Sequence, residues 1–221
     1  MLAELSSFMR HAIYWLPALV IAMSFHEYAH AKVASMLGDP TPEYHGRLTL
    51  NPLKHVDPVG LLMLVIVRFG WAKPVPVNPL YFKGNRRRGM LQVALAGPVT
   101  NFVLALVAGL GSAFSLLFMY RGNAFAGHSW LFFEYLLMFN IYLGIFNLLP
   151  VPPLDGSKIL FNILPPRYTE FLYQIEQYGF LILMLLLLTG LHRVFLIPIA
   201  DILELAIRFV SELAVLPFFR G

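Results

Sequence analysis

Long apolar stretches alternate along the chain with short polar, proline-rich ones. Residues 11–25 carry no Asp, Glu, Lys or Arg, and the apolar pattern runs on through His26-Glu27 to Leu37. This predicts one helix over about 11–37, with Pro17 in its early turns and Gly38-Asp39-Pro40 as its stop. No small-residue cleavage site closes the run, so a cleaved leader is not expected. Residues 39–58 are rich in Pro, Asn and Gly and read as loop. Residues 59–70 are mostly apolar but too short to cross a bilayer, which takes roughly 20 residues. Residues 71–82 contain three prolines, so short extended segments at Arg47–Leu50 and Val75–Val77 beside the membrane are expected there rather than a long helix. Residues 89–120 lack every Asp, Glu, Lys and Arg and form the clearest membrane-spanning candidate. Residues 131–149, with Glu134 near the start and expected at the outer interface, form another, and residues 171–191 a third. Residues 194–216 are apolar but carry Asp201, Glu204, Arg208 and Glu212, so they either span or lie in the interface as an amphipathic helix.

Composition sharpens this picture. Hydrophobic residues make up 58% of the 221 residues and charged residues 13%, and the mean hydropathy is +0.70. A soluble domain carries about 25% charged residues, so a soluble monomer, a disordered chain and a solvent-facing coiled coil are excluded. The fold class expected is an all-α polytopic membrane protein: a three-helix core over about 11–165, short membrane-associated extended segments, and extra C-terminal helices over about 170–216, all in a single membrane-embedded domain, 1–221. There is no cysteine, which removes disulfides, iron–sulfur clusters, thiol nucleophiles and Cys-ligated zinc. The net charge of +4 includes Arg86-Arg87-Arg88 directly before an apolar helix, the place of a membrane-flanking anchor, so no nucleic-acid partner is expected.

His26-Glu27-Tyr28-Ala29-His30 is an H-E-x-x-H run. On a helix, positions i and i+4 share a face, so both imidazoles can meet one ion, with Glu27 beside them and within reach of a water on that ion. Two histidines and a glutamate in an apolar helix are costly in lipid without a partner or a function. The bland alternative is a pair of satisfied core histidines. A catalytic zinc takes three protein ligands, and the best third candidate is Asp155, just past the uncharged residues 135–154. The competing reading of Asp155 is a helix-terminating Asp-Gly turn. If the three share an ion, helices 11–37 and 131–149 run in the same direction and 89–120 runs between them the opposite way. Arg47, Lys54, Lys73, Lys83 and Arg86–Arg88 flank the metal end, whereas the loop near 121–130 holds only Arg121. The positive-inside rule then places the metal end toward the cytoplasm, with Arg10 as a small objection.

The H-E-x-x-H run, taken with Asn147…Leu154-Asp155-Gly156, resembles the site-2 protease family of intramembrane zinc metalloproteases. Gly97-Pro98-Val99-Thr100-Asn101 looks like that family's G-P-x-x-N element, and Leu50–His55 and Gly70–Pro79 look like its compact prokaryotic branch. The resemblance implies a core that cleaves a transmembrane protein substrate in the bilayer. It implies one Zn2+ per chain held by His26, His30 and Asp155, Glu27 as catalytic base, and Asn147 steadying the substrate or the oxyanion. It also implies a prokaryotic plasma membrane; no inserted PDZ-like domain or appended CBS pair is expected. A substrate would have to be extended or unwound, because a helix hides its carbonyls, and an edge near 71–78 is expected to hold it by strand addition. His45 and His55 read as surface histidines. Asn101 and Asn140 lie on apolar helices, positioned for hydrogen bonds between helices or near the metal. The competing functions are a non-proteolytic metal-binding scaffold, which has no need of Glu27, and a metal transporter, which calls for more ionisable groups than residues 89–120 offer.

Overall fold

The computed structural model describes residues 2–67 and 70–219. Its helices are α1 (Leu2–Met36), α2 (Thr41–Tyr44), α3 (Pro58–Val67), α4 (Arg86–Tyr120), α5 (Ala126–Asn147), α6 (Asp155–Ile163), α7 (Thr169–Glu176), α8 (Gly179–Leu188) and α9 (Leu191–Phe219). Among the described residues there is no strand, only an isolated antiparallel bridge between Val56 and Ala72. The all-α polytopic class is therefore the observed one, and the chain is an integral membrane protein. The extended segments expected at 47–50 and 75–77 form no ladder. Pro74 and Pro76 remove alternate N–H donors from the second, which is sufficient reason.

Helices α1, α4 and α5 pack on one another, and α9 packs on α4 and α5. Their seam sets small residues against branched ones. Ala18 of α1, Ala105 and Ala108 of α4 and Ala200 of α9 meet Leu136, Leu137, Ile141 and Ile145 of α5. Lipid tails are as apolar as these side chains, so close backbone approach and dispersion hold such a seam rather than escape from water. Gly109 and Gly111 serve the same end. A Cβ at Gly109 would fall 2.6 Å from Ile207 of α9, and one at Gly111 would fall 2.5 Å from the Phe133 ring of α5.

Cross-helix contacts fix the directions. Near its start α1 meets the start of α5, where His11 Nδ1 lies 2.8 Å from the Tyr135 hydroxyl. Near its end α1 meets Val93 and Asn101, in the first half of α4. So α1 and α5 are parallel and α4 is antiparallel to both, as the metal argument required. The 35 residues of α4 extend to about 52 Å at 1.5 Å per residue, against a hydrocarbon core of about 30 Å. Its first turn, Arg86–Arg88, is capped by the Asn85 side chain, which accepts from the Arg88 N–H at 3.0 Å.

Among the described residues α4 and α5 are each long and apolar enough to cross a membrane, and α1 carries the polar His26, Glu27 and His30. Those groups face its neighbours rather than lipid. Residues 171–191 are not one span: α7 ends before Gln177, and α8 is only 10 residues long. Helix α8 continues into α9 through a bend of 76°, and the pair passes as one broken span or a re-entrant loop. Glu134 also has a specific partner. It lies eight residues into α5, about 12 Å from its start, and Arg208 of α9 grips both its oxygens at 2.9 and 2.6 Å. Ser112 of α4 donates to the same carboxylate. The polar residues Arg208 and Glu204 thus seat α9 on the core.

Candidate metal centre

Helix α1 presents His26 and His30 one turn apart on the face that meets α4 and α5. Asp155 arrives from the far side. After α5 ends at Asn147, a proline-rich turn carries the chain to Leu154, and Asp155 is the first residue of α6. The Asp-Gly pair therefore starts a helix rather than terminating one. Gly156 has no room for a side chain there, since a Cβ would sit 2.2 Å from the Leu148 carbonyl oxygen. Asp155 Oδ2 lies 3.1 Å from His26 Nε2 and 3.0 Å from His30 Nε2, and the two Nε2 atoms are 3.0 Å apart. All three residues are buried.

The donor chemistry of this cluster fits a metal cation. His26 Nδ1 faces the Asn101 Oδ1 atom, and His30 Nδ1 faces the Val93 carbonyl at 2.7 Å. Both partners are acceptors only, so each ring carries its proton on Nδ1 and offers an Nε2 lone pair. Two lone pairs and a carboxylate oxygen then converge within 3.1 Å of one another, an arrangement that repels unless a cation sits among them. Burial alone would raise the Asp155 pKa. The Lys158 ammonium, 3.4 Å from Oδ1, opposes this and favours the ionised carboxylate. Gly97 keeps the adjoining space open. A Cβ at that position would lie 2.4 Å from His30 Nε2 and 2.6 Å from His26 Nε2. Two imidazoles and one carboxylate make an accepted zinc set with a free fourth position.

The other predicted residues divide. Glu27 is half-buried beside the histidines, and its Oε2 accepts from the Val75 backbone N–H at 3.2 Å. The 71–78 segment thus reaches the site as irregular backbone and not as a sheet edge. Asn147 does not meet the donor cluster through its amide nitrogen, which donates back to the Leu143 carbonyl of its own helix at 3.0 Å. His45 is exposed, as expected, but His55 is fully buried, with Nε2 against the Thr49 carbonyl at 2.6 Å. The 47–55 loop folds around His55, with Arg47 also buried and donating to the Lys54 carbonyl. Sequence reasoning missed Lys158 and the Val75 N–H. Lys158 had a signal, the i,i+3 spacing from Asp155 on a helix. The Val75 N–H had none, being a backbone group placed by a distant loop.

Known proteins resemble this chain over most of its length. The model of peptidase family M50 matches residues 115–190, a stretch that includes Asn147 and Asp155. YwhC of Bacillus subtilis (strain 168), named as a candidate zinc metalloprotease, is 40% identical over 193 residues, covering 85% of this chain and 86% of its own. Rip2 of Mycolicibacterium smegmatis, named in the same way, is 37% identical over 184 residues, covering 80% of this chain and 67% of its own. The zinc metalloprotease MJ0392 of Methanocaldococcus jannaschii is 27% identical over 165 residues, covering 73% of this chain and 38% of its own. No solved structure matches the chain. With relatives of that identity spanning most of both sequences, the chain belongs to peptidase family M50, the site-2 protease family of zinc metalloproteases.

Proposed function

We propose that the protein hydrolyses peptide bonds in or near the transmembrane segments of membrane-protein substrates, as one membrane-embedded domain, with its active end toward the cytoplasm of a prokaryotic cell. The observation that carries this reading is the convergence of His26 Nε2, His30 Nε2 and Asp155 Oδ2 at 3.0–3.1 Å, with the Glu27 carboxylate beside them. His26, His30 and Asp155 would hold the zinc ion, which supplies Lewis acidity and a water ionisable near neutral pH. Glu27 then has two tasks. Its Oε2 takes the proton of the attacking water and delivers it to the leaving amide nitrogen. The Val75 N–H orients that carboxylate. Asn147, at the end of α5, lies on the route between the core and the Asp155 turn; its amide turns from Leu143 toward the scissile carbonyl when substrate is bound. The cytoplasmic orientation rests on Arg47, Lys54, Lys73 and Arg86–Arg88 flanking this end of the bundle.

Zinc content of the purified chain tests the donor set. The expected result is about one zinc per chain, greatly reduced in Asp155→Ala and retained in Glu27→Gln. Proteoliposomes holding a library of single-span peptides test the reaction, with products read by mass spectrometry. Wild type cleaves and Glu27→Gln does not. Zinc bound without any cleavage across the library would return the protein to the scaffold reading.

A further inference from the structure

Beyond the donor cluster, a file of buried amides runs across the core. Asn101 of α4 and Asn140 of α5 are both fully buried, at 0% exposure. Asn101 Oδ1 faces His26 Nδ1. Asn101 Nδ2 donates to Asn140 Oδ1 at 2.8 Å and to the Ala22 carbonyl at 3.2 Å. Asn140 Nδ2 donates to the Leu136 carbonyl at 2.8 Å. Each amide is thereby held one way round. A primary amide can present either its oxygen or its nitrogen to a neighbour, and the choice at Asn101 decides where His26 carries its proton. Oxygen toward Nδ1 puts the proton there and leaves the Nε2 lone pair for the metal. Nitrogen toward Nδ1 would demand the opposite tautomer, with Nε2 protonated and unable to ligate.

Asn140 supplies the stronger of the two votes. Its oxygen makes the shorter bond to Asn101. The other acceptor, the Ala22 carbonyl, lies inside α1, where the helix already offers it the His26 N–H four residues on. We propose that Asn140 is a positioning residue for the zinc site, which by fixing the Asn101 amide fixes the His26 tautomer and so sets metal affinity from a helix that carries no ligand. This inference rests on the donor set proposed above. Partners that orient a ligating histidine are worth about 10–100-fold in metal affinity, and here the orienting group stands one amide further out.

The test is zinc affinity of the full chain in detergent, measured by competition with a chelator, in a two-by-two set: wild type, Asn140→Leu, Asn101→Asp, and the double variant. Asn140→Leu is expected to weaken zinc binding by about 10-fold or more. Asn101→Asp is expected to bind zinc, because a carboxylate has no nitrogen to present and meets Nδ1 with oxygen either way. In that background Asn140→Leu is expected to change affinity by less than about 2-fold, since no amide remains to be oriented. An equal loss in both backgrounds makes Asn140 a packing residue and overturns the proposal, as does unchanged affinity in Asn140→Leu alone. If the leucine variant does not fold, Asn140→Ala gives the same reading, and Asn140→Asp, which keeps an acceptor for Asn101, is expected to retain affinity. A wild type that binds no zinc overturns the donor set itself. Zinc binding in wild type that Asn140→Leu leaves unchanged overturns only the relay.

Discussion

A methyl group at position 97 would land among the two Nε2 atoms, 2.4 and 2.6 Å away. Neither imidazole can retreat without giving up its Nδ1 partner at Val93 or Asn101. Gly97→Ala is therefore expected to cut zinc affinity by about 10–100-fold, the range seen when the geometry around a ligand is lost. The fold should survive, because Ala is the better helix former. Helix content by circular dichroism and bound zinc by mass spectrometry separate the two; full zinc occupancy in the variant would mean that the cradle is not where the ion sits. At this scale the sequence was informative only where one helix carried the information. The i, i+4 spacing exposed His26 and His30 at once. Asn101 and Asn140 were legible as partners for bonds between helices, but the closeness of Gly97 to both rings stayed hidden, because it depends on what another helix brings opposite it. Hydropathy says that 89–120 is a helix but not which of its turns faces α1.

The segment between α3 and α4 is held to the core by few ties. Asp39, fully buried beyond the end of α1, accepts from the Thr41 N–H at 2.9 Å through one oxygen and from the Asn78 N–H at 2.7 Å through the other. Nearby, Lys83 N–H donates to the Leu37 carbonyl at 2.7 Å, and Phe82 packs with Ala34 and Val93. Hydrogen bonds to a charged group are worth roughly 1.5–3 kcal/mol. Asp39→Ala is thus expected to free residues 76–79 without touching the donor set. The variant should acquire a new site for an added soluble protease within 70–85 while zinc content stays that of wild type. Unaltered digestion would show that the apolar contacts of Phe82 suffice to hold the segment. Element boundaries were legible where turn chemistry was strong, as at Gly38, which takes φ +102° where α1 stops. The 171–191 stretch was misread because apolar runs carry no mark of a break: nothing in Ile175–Gly179 is a forceful stop, yet the helix ends there. The bend between α8 and α9 had a mark, Gly190 at φ +71°, but a single glycine gives no angle.

For the molecule as a whole, the ion pair of Glu134 and Arg208 is the bolt between the catalytic core and α9. Removing one partner from a half-buried pair leaves the other charge uncompensated, whereas replacing both with apolar groups is often neutral. Arg208→Leu is expected to lower the melting temperature in detergent, and Glu134→Leu with Arg208→Leu to recover most of the loss. Because Ser112 and Glu204 also touch the pair, recovery should be incomplete. Single and double variants that melt together at the wild-type temperature would show that α9 is held by its apolar seam alone. The donor set, meanwhile, closes between residues 129 positions apart in the sequence. Translation runs at about 5–20 residues per second, so a growing chain holds both histidines for about 6–26 s before Asp155 exists. Throughout that time α4 and α5 are still entering the bilayer beside other newly made membrane proteins. A hydrolytic centre that a single helix could complete would be active in that company. With His26, His30 and Asp155 as the proposed ligands, this one would remain inert until its last donor is synthesised, and the order of biosynthesis itself would act as the safety catch.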